Sequence, residues 1–236
     1  MKLLLTRPRE QAEELANKLR AQDIDVWVEP MLRIVRYMSV KLNLKNCQAV
    51  LVTSANGADS LAGATIRRDV KVYAVGDATA AKLSHYGFLD VRSADGSADD
   101  LATLVENDVD PSGGALLHVG AINSIGGLMS RLRLSGYDAH RVALYDIVGA
   151  SSFSPELQSA MAGGEINGVL FFSPETARIF VSLALGALCE KPLVNMTAFC
   201  LSAAVAEAAN RVSWGGLVVS DRPNAASLLA SVMAAQ

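Results

Sequence analysis

Val50-Leu51-Val52-Thr53-Ser54-Ala55-Asn56-Gly57 sets an apolar run against an abrupt turn to hydroxyl, amide and glycine. A short apolar run bounded by turn residues reads as a fully buried strand. Serine and asparagine favour the position just before a helix, where a side-chain oxygen accepts a free backbone N–H. The stretch therefore reads as a strand running directly into a helix N-terminus. Val169-Leu170-Phe171-Phe172-Ser173-Pro174-Glu175-Thr176 repeats the pattern.

The same rhythm extends outward. Lys2–Leu5, Ala49–Thr53, Lys71–Val75, Ala115–Val119, Gly168–Phe172, Met196–Leu201 and Leu217–Val219 read as buried parallel strands. Between them lie segments of helical period. In Gln11–Arg20, Ala12, Leu15, Ala16 and Leu19 share a face, Ser97-Ala98-Asp99-Asp100 has a helix-start pattern, and Asn224 opens a last helix after Pro223. Strands alternating with helices predict an α/β fold whose parallel sheets are covered on both faces. Leu32–Tyr37 and Ala143–Val148 break the rhythm: each is β-prone, and no helix follows at once. Both are expected to cross between domains.

A faint repeat orders the rest. Besides the opening pair, Ala74–Ala81 echoes Phe199–Ala206, Asp100–Val105 echoes Ser227–Val232, and Leu5–Val26 echoes His118–Ala139. With the crossing strands placed after the first and fourth units, two flavodoxin-like parallel-sheet domains follow, joined by a two-strand ladder. A discontinuous outer domain takes residues 1–33 and 148–236, and a central domain takes 38–142. Residues 34–37 and 143–147 are the crossing linkers.

Composition excludes several classes. Of 236 residues, 51% are apolar and 19% charged, which supports a packed core and argues against disorder. The formal charge is −3, with no basic run, so nucleic acid is not expected as a partner. Charge returns at Arg7 after the opening leucines, so a first strand is expected in place of an export signal. The apolar run Ile179–Cys189 is far short of the ~20 residues that cross a bilayer. Cys47, Cys189 and Cys200 are widely spaced and read as buried thiols in a reducing compartment. His85, His118 and His140 lack ligand spacing, so no metal is expected. A cytoplasmic monomer without membrane contact is the expectation.

Ligands of open parallel sheets bind beyond the carboxyl ends of the strands. The loops there are alike in type, and their candidate contacts are Thr6, Arg7, Ser54, Asn56, Gly57, Gly76, Thr79, Ser97, Gly120, Ser173 and Ser202. Small residues at a strand-to-helix turn leave backbone N–H groups facing outward, and the helix N-terminus adds partial positive charge. Such a set suits a polyanion, although serine, threonine and glycine are also ordinary caps and turn formers. No nucleophile–base set emerges: there is no GxSxG, Walker loop or GxGxxG, and Asp99-Asp100 and Glu13-Glu14 are adjacent on helices, so their side chains diverge. Tyr145, on the second crossing strand, is the candidate catalytic residue. A phenol can donate a proton at neutral pH, and its ring is expected to project between the domains.

The order of Leu4-Leu5-Thr6-Arg7-Pro8, Val52–Gly57, Ala74–Ala80 and Phe171–Ala177, continuing through Ser202, Trp214 and Pro223-Asn224, resembles the uroporphyrinogen-III synthase family over nearly the whole chain. The resemblance implies two α/β domains, no cofactor, no metal, and hydroxymethylbilane, a linear tetrapyrrole with acetate and propionate arms, as substrate. It implies a tyrosine over the cleft, where Tyr145 falls, and places Thr6, Ser54, Thr79 and Ser173 in cleft loops. The implied reaction is a lyase step. Loss of the terminal hydroxyl gives an azafulvene, and closure through a spiro intermediate inverts the last ring. Many members place an arginine before the glycine that Gly120 matches. Leu117-His118-Val119-Gly120 has none, and Ser202-Ala203-Ala204 lacks a second hydroxyl.

Two readings of other classes remain: a non-catalytic two-domain ligand-binding or sensor protein, and a fusion of two flavodoxin-like interaction modules. Resolving the uroporphyrin isomers formed from hydroxymethylbilane separates all three.

Overall fold

The structure, a computed structural model, describes residues 1–123, 126–187 and 190–235. Cys189, expected as a buried thiol, lies outside the described residues. Contacts divide the chain into two units, Met1–Arg33 with Val148–Gln236, and Ile34–Ile147. Residues 34–37 and 143–147 cluster with the second unit.

The first unit opens with β1 (Lys2–Leu5), α1 (Arg9–Arg20) and β2 (Asp25–Val28). It resumes after the second unit with α6 (Pro155–Ala162), β9 (Gly168–Phe171), α7 (Pro174–Gly186), β10 (Thr197–Cys200), α8 (Ala203–Ala209), β11 (Gly216–Val219) and α9 (Ala225–Met233). Its sheet is parallel in the order β11-β10-β9-β1-β2. Alternate residues of each strand face opposite layers. Leu4, Val169, Phe171 and Ala198 pack with Leu157, Phe180 and Val205, while Leu3, Leu5, Leu170 and Phe199 pack with Leu15, Leu19, Leu228 and Val232. Both faces are therefore apolar, as a parallel sheet between helices requires.

The second unit contains most of β3 (Leu32–Arg36), then β4 (Cys47–Val52), α2 (Ala55–Ala64), β5 (Lys71–Ala74), α3 (Asp77–His85), β6 (Asp90–Ser93), α4 (Ala98–Asp108), β7 (Ala115–Ala121), α5 (Leu128–Leu134) and most of β8 (Ala139–Gly149). Its sheet runs β3-β8-β7-β4-β5-β6. From β8 to β6 the neighbours are parallel. Val50, Val52, Val72 and Val119 pack with Ala58, Leu61 and Leu83 on one face. Leu51, Tyr73 and Leu116 pack with Leu101, Val105, Met129 and Leu132 on the other.

The two sheets share one strand order. The series β2-β1-β9-β10-β11 is matched by β8-β7-β4-β5-β6, so the echoing segments occupy equivalent places, and the first series is the flavodoxin-like order. The chain passes between units within β3 and β8, which neighbour each other. The Tyr37 N–H donates to the Leu144 carbonyl and the Ala150 N–H to the Met31 carbonyl, so these two strands run antiparallel. β8 is longer than the expected crossing segment because its first residues already pair with β7. No helix among the described residues is long and apolar enough to cross a membrane.

Candidate functional site

In the second unit, β4 ends at Val52 and α2 begins at Ala55. Ser54 is the cap between them, and its Oγ accepts the Gly57 N–H at 3.1 Å. The same Oγ lies 3.0 Å from the Tyr145 hydroxyl. Tyr145 stands opposite Ala121 across the β7–β8 pairing, and its carbonyl accepts the Ile122 N–H. The ring is 5% exposed and held within its own unit, with its hydroxyl on the α2 cap. Gly57 is buried beneath this pair. A Cβ there would approach Val52 Cγ1 at 3.1 Å and the Val119 carbonyl at 3.4 Å, so a small residue lets α2 close on the sheet. Gly120 is buried at the β7 irregularity just before Ala121. Asn56 is half-buried in the first turn, where its carbonyl accepts from Ser60.

The next strand ends carry the remaining candidates of this unit. Gly76 caps α3 in extended conformation and has open space where a side chain would stand. Thr79 is buried in the first turn of α3. Ser97 forms a capping box: its Oγ donates to the Asp100 carboxylate at 2.7 Å and accepts the Asp100 N–H. That hydroxyl is engaged by its own helix.

In the first unit, Thr6 is wholly buried, and its Oγ1 donates to the Leu170 carbonyl at 2.9 Å, tying the ends of β1 and β9 together. Arg7 lies 4.4 Å over the Phe172 ring and donates to Gln11. Burial lowers the pKa of its guanidinium, which nevertheless remains a cation. Ser173 caps α7, accepting the Thr176 N–H at 3.2 Å. Ser202 caps α8 by backbone geometry without a side-chain bond.

Sequence reading missed a second group in the central unit. Thr53, just past the end of β4, meets His118 of β7 and its neighbour Arg141 of β8 on the face covered by α4 and α5. Thr53 Oγ1 lies 3.1 Å from His118 Nε2, and His118 stands beside Arg141 in register. Burial first, and then the Arg141 charge, push His118 down to about 4, so its imidazole is neutral. The available signal was polarity: one histidine inside an otherwise apolar strand. Among the described cysteines, burial pushes Cys200 up to about 12 and also raises Cys47, so neither is a poised nucleophile. Among the described residues no group of three or more His, Cys, Asp or Glu side chains could hold a metal ion.

Parallel sheets whose carboxyl ends lead into serine- and glycine-capped helices define an α/β protein whose first sheet has the flavodoxin-like order. The family model described as uroporphyrinogen-III synthase HemD matches residues 13–230, and the chain belongs to that family. A curated relative, the porphyrin biosynthesis protein HemD of Ruminiclostridium josui, is 26% identical over 225 residues. That match covers 89% of this chain but 44% of the relative, so the chain spans less than half the relative's length. Among solved structures, the uroporphyrinogen-III synthetase of Helicobacter pylori is similar with a TM-score of 0.66, 15% identity, and coverage of 100% of this chain and 99% of that one. A mutant uroporphyrinogen III synthase of Thermus thermophilus gives a TM-score of 0.52, with 15% identity and coverage of 100% and 98%.

Proposed function

We propose that this chain cyclises hydroxymethylbilane to uroporphyrinogen III, a lyase reaction that releases water and uses no cofactor. The observation that carries this reading is the Tyr145 hydroxyl at 3.0 Å from the Ser54 cap, at the carboxyl end of the central sheet. Tyr145 gives its proton to the terminal hydroxyl of the substrate, the carbon–oxygen bond breaks, and water leaves. The azafulvene cation so formed is attacked by the substituted α-carbon of the last pyrrole, giving a spiro centre. The original link of that ring then breaks, and the ring recloses through its other α-carbon, inverted. Loss of a proton from that carbon restores aromaticity and returns a proton to the tyrosinate.

Uncatalysed closure gives the non-inverted isomer, so the main task is orientation of the two chain ends. Capped strand-end loops suit that task because they offer fixed backbone donors to carboxylate arms. Thr6, Arg7, Ser54, Asn56, Gly57, Gly76, Thr79, Ser97, Gly120, Ser173 and Ser202 are the proposed contacts. Thr6 and Ser97 would act through backbone groups, since their hydroxyls are engaged. The test is incubation with enzymatically generated hydroxymethylbilane under excess chelator, oxidation, and separation of the uroporphyrin isomers. Isomer III in excess over a protein-free blank is expected. Activity that vanishes with chelator and returns with a divalent metal overturns the cofactor-free reading.

A further inference from the structure

Asp59 lies on α2, five residues beyond the Ser54 cap, and its side chain is 9% exposed. Three donors converge on its carboxylate. Arg36 Nη2, at the end of β3, stands at 2.9 Å, Lys82 Nζ of α3 at 2.6 Å, and the Tyr86 hydroxyl, just past α3, at 2.6 Å. Burial favours the neutral acid, but the bonds from Lys82 and Tyr86 and the charges of Lys82 and Arg36 outweigh it. The pKa of Asp59 is therefore lowered, and the group is a carboxylate. An ion pair withdrawn from water adds little net stability, because desolvation offsets the attraction. The contribution of this cluster is then geometric: it ties β3, α2 and α3 together.

Those ties reach Tyr145 by two routes. Arg36 is the last residue of β3, and the N–H that follows, that of Tyr37, donates at 2.8 Å to the carbonyl of Leu144, the residue before Tyr145. β3 is an edge strand paired with β8, so its place depends on β8 and on side-chain anchors of this kind. By the second route, the Ser54 cap of α2 holds the Tyr145 hydroxyl at 3.0 Å. Asp59, Arg36, Tyr37, Leu144, Tyr145 and Ser54 thus close a circuit in which β3 fixes the backbone beside Tyr145 and α2 fixes its phenol. We propose that Asp59 is a positioning residue for Tyr145: by binding Arg36 it sets β3, and through β3 the backbone of β8, against the helix cap that holds the hydroxyl. The inference rests on Tyr145 as the proton donor of the proposed reaction. Asp59 itself touches no reacting atom.

The first test reads Tyr145 on the whole protein without turnover. The chain has five tyrosines, so in protein labelled at tyrosine ¹³Cζ the Tyr145 signal is assignable with Tyr145→Phe. Asp59→Asn is expected to move the Tyr145 signal together with that of Tyr86, its direct partner. Arg36→Gln, which leaves Asp59 its Lys82 and Tyr86 contacts, should also move Tyr145 and serves should Asp59→Asn fail to fold. In the isomer assay Asp59→Asn should lower kcat for isomer III by about ten- to a hundredfold, the scale of a donor displaced by about 1 Å. KM should stay within about twofold, as for a group that acts in the transition state alone. Asp59→Glu, which restores the charge, should recover part of the loss. In a Tyr145→Phe background Asp59→Asn should cost less than about twofold, because the group it positions is gone. A Tyr86 signal that moves while Tyr145 stays, or an equal fold-loss in both backgrounds, would reduce the cluster to a packing contact and overturn the proposal. A Tyr145 signal that moves in a protein forming no isomer III would confirm the link from Asp59 to Tyr145 and contradict the proposed reaction alone.

Discussion

Ser54 serves two partners with one oxygen, and this sets different costs for the two sides of the pair. Ser54→Ala removes a helix cap, typically about 0.5–2 kcal/mol, and leaves the buried Tyr145 hydroxyl without that partner. Tyr145→Phe keeps the cap and most of the ring's packing. Urea unfolding should therefore show the larger stability loss for Ser54→Ala. Isomer-III assays should show the larger rate loss for Tyr145→Phe, toward the low end of the ~10²–10⁴-fold typical of a positioned proton donor. Near wild-type turnover in Tyr145→Phe, beside a larger loss in Ser54→Ala or Thr79→Ala, would mean that the phenol only packs. His118 carries a pH signature. Its folded pKa of about 4 lies below the ordinary 6.5, so between these values the unfolded chain binds the extra proton. Stability should fall as pH drops from 6.5 to 4 and gain no further loss from this group below that, a change of roughly 3 kcal/mol at most. His118→Gln should flatten this part of the pH profile, and an unaltered slope would contradict a buried neutral imidazole. The caps were legible in sequence because each is a local pattern, as at Ser54, Ser97 and Ser173. The Ser54–Tyr145 bond and the Thr53–His118–Arg141 row were not, because they join residues brought together only by strand order.

β9 shows how closely the strands of the first unit approach. Gly168 lies opposite Leu3 of β1 and Thr197 of β10. A Cβ there would stand 2.9 Å from both Phe199 Cε2 and the Thr197 carbonyl oxygen, and the carbonyl cannot swing aside. Gly168→Ala should lower stability by about 1–3 kcal/mol, the usual cost of overpacking. An unchanged urea midpoint would mean that β9 does not hold this register. Strands of this kind were legible because both faces are buried and the apolar run is continuous, as at Val50–Val52 and Val169–Phe171. β2 and β6 escaped because they close sheet edges: Asp25–Val28 and Asp90–Ser93 are half-exposed and carry charge. Helix α6 also escaped, although Ser154-Pro155 is a cap followed by proline at the first helical position.

At the scale of the chain, the first unit is assembled from two distant segments, and β1 lies between β9 and β2. Leu3, Leu4 and Leu5 are wholly buried, Leu4 in one core layer and Leu3 and Leu5 in the other. Their burial contributes roughly 5–9 kcal/mol together, comparable with the whole net stability of a typical domain. Residues 148–236 expressed alone should therefore show no cooperative unfolding transition, whereas residues 34–147, which retain all six strands of their sheet, should. Two cooperative fragments would contradict the central place given to β1. The central claim, that the strand-end loops and Tyr145 orient a tetrapyrrole for inverted closure, is tested most directly by isomer analysis with the intact protein. Hydroxymethylbilane should be converted almost wholly to uroporphyrinogen III. An isomer ratio equal to that of the protein-free blank would contradict it.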